Sequence, residues 1–205
     1  MEKPTLTNYE FDAAYRARGF LSLCGVDEAG RGPLAGPVYA AAVILRPDVV
    51  IDGVNDSKKL SEKRREALFD EICEKAEAFG IASASVQEIE TYNILQATFL
   101  AMSRAVEAMG VSPDLTLIDG NRKPVGIPYP METVIKGDAR SASIAAASIL
   151  AKVSRDRYML ELDKQYPDYQ FAKHKGYGTA VHCEALRAFG PSPEHRLSFL
   201  KNILG

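Results

Sequence analysis

Residues 21–45 read LSLCGVDEAGRGPLAGPVYAAAVIL, two apolar runs divided by a turn. The runs 21–27 and 38–45 have the length and composition of buried strands. The glycines and prolines between them rule out a helix through that segment. So short a link predicts antiparallel pairing of the two strands. Two acids, Asp27 and Glu28, stand where the first strand is expected to stop. Adjacent residues of a strand face opposite ways. Both acids can therefore serve one site only if the chain leaves strand geometry there, which a glycine-rich turn permits.

Working outward, residues 61–78 begin with Ser61 and set Leu68, Phe69, Ile72 and Ala76 at helical spacing, with Gly80 as the stop. The alternation of 81–87 predicts a third strand. Residues 89–109 carry Ile89, Leu95, Phe99, Met102, Val106 and Met109 near one helical face and meet Gly110. Strands are predicted at 115–118 and 132–136, separated by a proline-rich loop, and a long helix from about 140 to 164. From about 167 to 205 the pattern is short helices and loops. The order is β-β-α-β-α-β-β-α followed by a helical tail. A strand reached through a helix, such as the one ending at Asp119, is expected to run parallel to its neighbour. The result is a mixed sheet covered by helices, an α/β fold.

The chain has 205 residues, a size that suits one domain with residues from about 167 onward as a helical extension. Its apolar runs are too short to span a bilayer, and no secretory leader is evident. Three cysteines, Cys24, Cys73 and Cys183, lie far apart. They suggest neither a disulfide framework nor a zinc site, so a cytoplasmic location is expected. The formal charge of −2 argues mildly against a generic nucleic-acid binder. Basic residues nonetheless cluster at 58–65, 136–157 and 173–175, and two divalent ions held by acids would reverse the sign. Net charge decides nothing here.

Asp119 ends a second apolar strand and Asp138 follows a third. Each acid has an ordinary alternative: Asp119-Gly120 is good turn chemistry, and Asp138 could be a helix N-cap. Jointly, four acids at strand ends fit a site at one edge of an open α/β sheet. Four carboxylates are hard oxygen donors suited to Mg²⁺ or Mn²⁺ rather than zinc. Without cations they would repel one another, and at least one would tend to keep its proton.

Six blocks in order carry a resemblance. They are Gly25 to Val38, Asp56 to Ser61, Ile118 to Asn121, Lys136 to Asp138, Ala146 to Asp156, and His174 to Thr179. Together they resemble the ribonuclease HII family over residues from about 22 to 199. The resemblance implies a ribonuclease H-like fold with a mixed five-stranded sheet. It makes Asp27, Glu28, Asp119 and Asp138 the catalytic, metal-binding acids for two Mg²⁺ or Mn²⁺ ions. Gly30, Arg31 and Gly32 become the loop that senses the ribose 2′-hydroxyl, and Tyr177 the ring that packs on the sugar next to the scissile phosphate. Lys58 and Lys59 resemble a phosphate-contacting pair, which Lys152 and Arg155 would extend. For Lys63, Arg64 and Arg65 a solvated helix face is preferred, and His174, His182 and His195 receive no role.

The implied substrates are RNA–DNA hybrids and DNA duplexes containing ribonucleotides, cut on the 5′ side of a ribonucleotide to leave 3′-hydroxyl and 5′-phosphate ends. Ribonuclease HIII, a relative, carries Gly-Thr-Gly in place of Gly30-Arg31-Gly32. The tail from Arg196 lacks the clamp-binding peptide of archaeal relatives, and a monomer is expected.

Overall fold

A computed structural model describes residues 7–54 and 60–204. Lys58 and Lys59 lie outside the described residues. The first strand, β1 (Leu23–Ala29), pairs antiparallel with β2 (Val38–Leu45) as expected. Strand β1 runs through both acids, with Asp27 opposite Ala41 and Glu28 opposite Ala40. The expected departure from strand geometry therefore comes later, at Gly30. The pair is brought to one site by a gap in the sheet instead, described below.

Helix α2 (Glu62–Lys75) is capped by the Ser61 hydroxyl, which accepts from the Arg64 amide. It ends earlier than its periodicity suggests, because Ala76 already has extended geometry and starts β3 (Ala76–Ala84). Gly80 is thus a mid-strand residue and not a helix stop. A Cβ on it would lie 2.1 Å from the Ala105 carbonyl oxygen, so its missing side chain lets the next helix lie directly on the strand. That helix, α3 (Val86–Ala108), is kinked at Asn93 (φ 70°), whose Oδ1 accepts from Leu95 and Gln96 and caps the second segment.

Strands β4 (Leu115–Asp119) and β5 (Met131–Val134) complete a five-stranded sheet of order β3-β2-β1-β4-β5. Strand β4 runs parallel to β1, as expected of a strand reached through a helix, and parallel also to β5, to which only a loop connects it. The short helix α4 (Gly137–Arg140) leads into the long α5 (Ala142–Gln165). An N-terminal helix, α1 (Asn8–Arg16), was not expected from the periodicity.

Strand β2 shows how the layers form. Val38, Ala40, Ala42 and Ile44 pack toward α3, while Ala41, Val43 and Leu45 pack toward α2 and α5. Both faces are buried, so the strand is a continuous apolar run without alternation. The chain then forms α6 (Phe171–His174), α7 (Ala180–Phe189) and α8 (Lys201–Leu204). This tail has its own cluster of Leu34, Met159, Tyr169, Phe171 and Leu186, and Ala35 of the β1–β2 turn bridges to His195. Among the described residues no helix is long and apolar enough to cross a membrane, and the three cysteines are free thiols.

Candidate active site

The site begins where two parallel strands part. The pairing of β1 with β4 ends at Val26 opposite Ile118. The next residue on each strand is an acid, Asp27 and Asp119. Side chains at matching parallel positions share a face, and this face is covered by α5. There the Ser148 hydroxyl reaches the Asp27 carboxyl. Glu28, one step further, points to the α3 side. Beyond the last paired residues the gap between the strands joins the two faces. A cavity of about 310 Å³ is lined by Asp27, Glu28, Asp119, Gly30, Lys152 and Tyr177, among others. A smaller one of about 140 Å³, on the α3 side, shares Glu28, Arg31 and Asp119 and adds Asn121 and Arg122.

The carboxylates are electrostatically crowded. Burial pushes the Asp27 carboxyl well above the usual carboxylate range, and the charges of Glu28 and Asp119 push it further. Burial also raises Glu28, with Arg31 pulling the other way from 3.3 Å. Asp27 Oδ1 accepts from the Glu28 amide at 2.7 Å. Asp119 Oδ1 accepts from the amides of Gly137 (2.6 Å) and Asp138 (3.4 Å), the first N–H groups of α4, where a negative charge is favoured.

Asp138 is buried in that helix. It is not its N-cap, because Lys136 holds that position and Ser141 caps α5. Asp138 therefore adjoins Asp119 but is not on the wall of either cavity. Among the described residues no three histidine, cysteine, aspartate or glutamate side chains are drawn tightly enough to hold an ion as they stand. The donor set nonetheless fits a hard divalent cation. It is all carboxylate, three of its members line one cleft with Asp138 adjoining Asp119 behind them, and the repulsion on Asp27 is what such a cation relieves.

The turn after β1 is held from beneath by two buried arginines. Arg196 donates to the carbonyls of Gly30 (2.7 Å), Arg31 (3.0 Å), Pro33 (2.8 Å) and Gly36 (2.7 Å). Arg155 donates to those of Ala35 (3.0 Å), Pro37 (3.1 Å) and Lys175 (2.9 Å). Burial lowers both guanidinium pKa values, that of Arg196 to about 9. Arg155 was expected on a phosphate track. Its side chain is 1% exposed and committed to backbone carbonyls, so it supports the turn and does not present a free charge to a phosphate. Lys152, on the cavity wall, is paired with Asp156 at 2.6 Å.

Gly30 (φ +97°) lies against Arg155, whose Nε would be 2.0 Å from an added Cβ. Gly32 differs: an added Cβ would meet only Tyr177, at 3.8 Å. The Tyr177 ring is 45% exposed and lines the larger cavity beside the turn. Sequence reasoning missed three cavity or support residues. Arg65 lines the cavity although a solvated face was preferred for it. Ser148 and Arg196 carry no motif signal of their own beyond Ser148's place in the Ala146–Asp156 block.

A family model described as Ribonuclease HII matches residues 24–202. A ribonuclease HII from Endomicrobium trichonymphae is 58% identical over 191 residues, covering 93% of this chain and 91% of the relative. One from Marinomonas sp. (strain MWYL1) is 60% identical over 184 residues, covering 89% and 92%. The crystal structure of ribonuclease H2 from Pyrococcus horikoshii OT3 superposes with a TM-score of 0.74 at 25% identity, covering 89% of this chain and 97% of that one.

Proposed function

The chain belongs to the ribonuclease HII family, a metal-dependent endoribonuclease of RNA–DNA hybrids, and on that footing we propose that it also cuts DNA duplexes 5′ of single embedded ribonucleotides. Products carry a 3′-hydroxyl and a 5′-phosphate, and no covalent intermediate forms. The observation that carries this reading is the convergence of Asp27, Glu28 and Asp119 on one cavity that also holds Gly30, Gly32 and Tyr177. Acids for phosphodiester chemistry and a turn suited to a sugar lie side by side.

Asp27, Glu28, Asp119 and Asp138 are the residues that would hold two Mg²⁺ or Mn²⁺ ions. Bound there, such ions supply an activated water and offset the charge that builds on the phosphate. The peptide groups at Gly30 to Gly32 approach the ribose closely, with no side chain intervening at Gly32 and the Gly30 peptide held in place by Arg155 and Arg196 beneath it. The 2′-hydroxyl they meet is the group that separates RNA from DNA. Tyr177 packs its ring on the adjoining sugar, and Lys152 and Arg31 add positive charge along the cleft. The segment from about 167 onward serves as an extension of a single catalytic domain, since Arg196 and the Ala35–His195 bridge tie it to the sugar-reading turn.

The test is incubation of the protein with a DNA duplex holding one ribonucleotide, in Mg²⁺ or Mn²⁺, with the cut mapped at nucleotide resolution. A single cut 5′ of the ribonucleotide is expected. Cleavage of uniform hybrid with no cut at the lone ribonucleotide would overturn the finer reading, and preference for a four-way DNA junction would overturn both.

A further inference from the structure

All three histidines of the chain converge under the loop that carries Tyr177. Each is almost wholly inaccessible: His174 is 8%, His182 0% and His195 1% exposed. His182 and His174 stack with centroids 4.4 Å apart and planes inclined by 15°. His182 Nε2 and His195 Nε2 are 2.9 Å apart. His182 Nδ1 lies 2.9 Å from the Tyr177 carbonyl oxygen, and the Ser192 amide donates to His195 Nδ1 at 2.9 Å.

The fixed groups at the two ends decide where the protons sit. A backbone N–H can only donate, so His195 Nδ1 is an acceptor and a neutral His195 carries its proton on Nε2. A carbonyl can only accept, so His182 carries its proton on Nδ1 and leaves Nε2 as an acceptor. Starting from Ser192 or from Tyr177, the same arrangement results: Ser192 N–H to His195, His195 Nε2–H to His182, His182 Nδ1–H to Tyr177. The third ring obeys the same logic. Gly176 N–H donates to His174 Nδ1 at 3.2 Å, leaving His174 Nε2–H for the Tyr169 carbonyl at 2.8 Å. An added proton on His182 or His195 would set two donors against each other at 2.9 Å.

We propose that His182 and His195 are positioning residues for Tyr177, forming a neutral relay locked in one tautomeric direction that fixes the Tyr177 peptide and so aims its ring into the cleft. The relay rests on the reading of Tyr177 as the residue that packs on the sugar. Burial, which lowers the pKa of all three imidazoles, keeps the relay uncharged. His182 acts through the backbone of Tyr177 and has no contact with substrate assigned to it.

Two measurements test the relay. Nitrogen-15 spectra of the unaltered protein at neutral pH are expected to show His182 protonated on Nδ1 and His174 and His195 on Nε2. Protonation of His182 on Nε2, or on both nitrogens, overturns the relay. In the second measurement, His182→Leu removes the donor to Tyr177. Its kcat/KM on a duplex with one ribonucleotide is expected to fall about tenfold or more, with a smaller loss on uniform hybrid. His182→Asn, whose amide nitrogen can replace Nδ1 as the donor, is expected to recover most of that loss. Equal losses on both substrates, or no recovery by Asn, overturn the positioning role. Should the Leu variant fail to fold, the spectra and the Asn variant still decide. Unchanged cutting by Tyr177→Ala would overturn the parent reading of Tyr177, an outcome distinct from a wrong tautomer.

Discussion

Asp27 and Asp119 stand at matching positions on parallel strands, each one residue past the last paired partners, Val26 and Ile118. Register puts their side chains on one face, and the parting of the strands opens that face to a cavity. Neither acid tolerates the other's charge well, which makes the pair costly unless it is used. Asp119→Asn keeps the shape and an acceptor for the Gly137 amide while removing one charge. Its hydrolysis of hybrid in Mg²⁺ is expected to drop by on the order of a hundredfold or more, with duplex binding retained or tightened. A gel-shift titration beside a cleavage assay checks both halves, and an unchanged cutting rate would refute the role of Asp119.

The buried histidines make the fold sensitive to acid. Burial lowers His174 and His182, and burial together with the neighbouring His182 lowers His195 from 6.5 to about 4. In the unfolded chain each imidazole takes up a proton near 6.5, whereas in the folded chain it does so only at lower pH. The unfolded imidazoles therefore bind more protons in that window, and the histidine contribution to stability falls as pH drops from about 6.5 toward 4. The raised carboxyls of Asp27 and Glu28 act in the opposite sense at the acid end of that window. The melting temperature is expected to fall by on the order of 5 °C between pH 7 and pH 5. Calorimetry across that range, with His195→Gln showing a shallower decline, checks the assignment. A flat profile would remove it.

Arg196 joins the tail to the turn after β1 through carbonyls of Gly30, Arg31, Pro33 and Gly36. Replacing it with methionine strands buried acceptors, each at roughly 1–3 kcal/mol. A total loss of about 3–5 kcal/mol is expected, near the upper end for a single substitution. The melting temperature should fall by roughly 10 °C, and hydrogen exchange should quicken first at residues 30–36. Exchange that rises evenly over the sheet would show that Arg196 supports the whole molecule and not this turn.

The β1–turn–β2 unit was legible because length, apolar character and glycine content all agree over residues 21–45, and the pairing found is the one expected. The strand-end position of Asp119 followed from the same logic, whereas β1 continues two residues past Asp27 because β2 goes on pairing with it. Gly80 misled because a glycine after a helical pattern usually stops a helix, whereas here its role is set by the Ala105 carbonyl of α3 lying on the strand. Arg155 was misread because a basic residue on a helix gives no sign of which way it faces. Arg196 and Gly30 are 166 residues apart in the chain, and no local pattern encodes such a contact. The direction of the histidine relay is invisible for the same reason, since it depends on which backbone groups the fold sets at each end.

Gly30 and Gly32 occupy one short turn yet have different reasons to be glycine. Gly30 has φ +97° and its missing Cβ is replaced by the Arg155 side chain at 2.0 Å. Alanine there must strain the backbone and displace a buried guanidinium, so Gly30→Ala is expected to lower both melting temperature and activity. At Gly32 an added Cβ would find ordinary contact with Tyr177 at 3.8 Å. The fold gives no steric reason to exclude alanine there. If the turn reads a sugar, the excluded methyl is excluded by the substrate. Gly32→Ala should then melt within about 2 °C of the unaltered protein, a shift of under roughly 1 kcal/mol. Its KM for a ribonucleotide-containing duplex should rise about tenfold or more, a penalty of at least roughly 1.4 kcal/mol in binding. Parallel melting and steady-state measurements on the two variants separate these effects. A Gly32→Ala protein that melts normally and cuts normally would mean that the sugar does not approach this peptide.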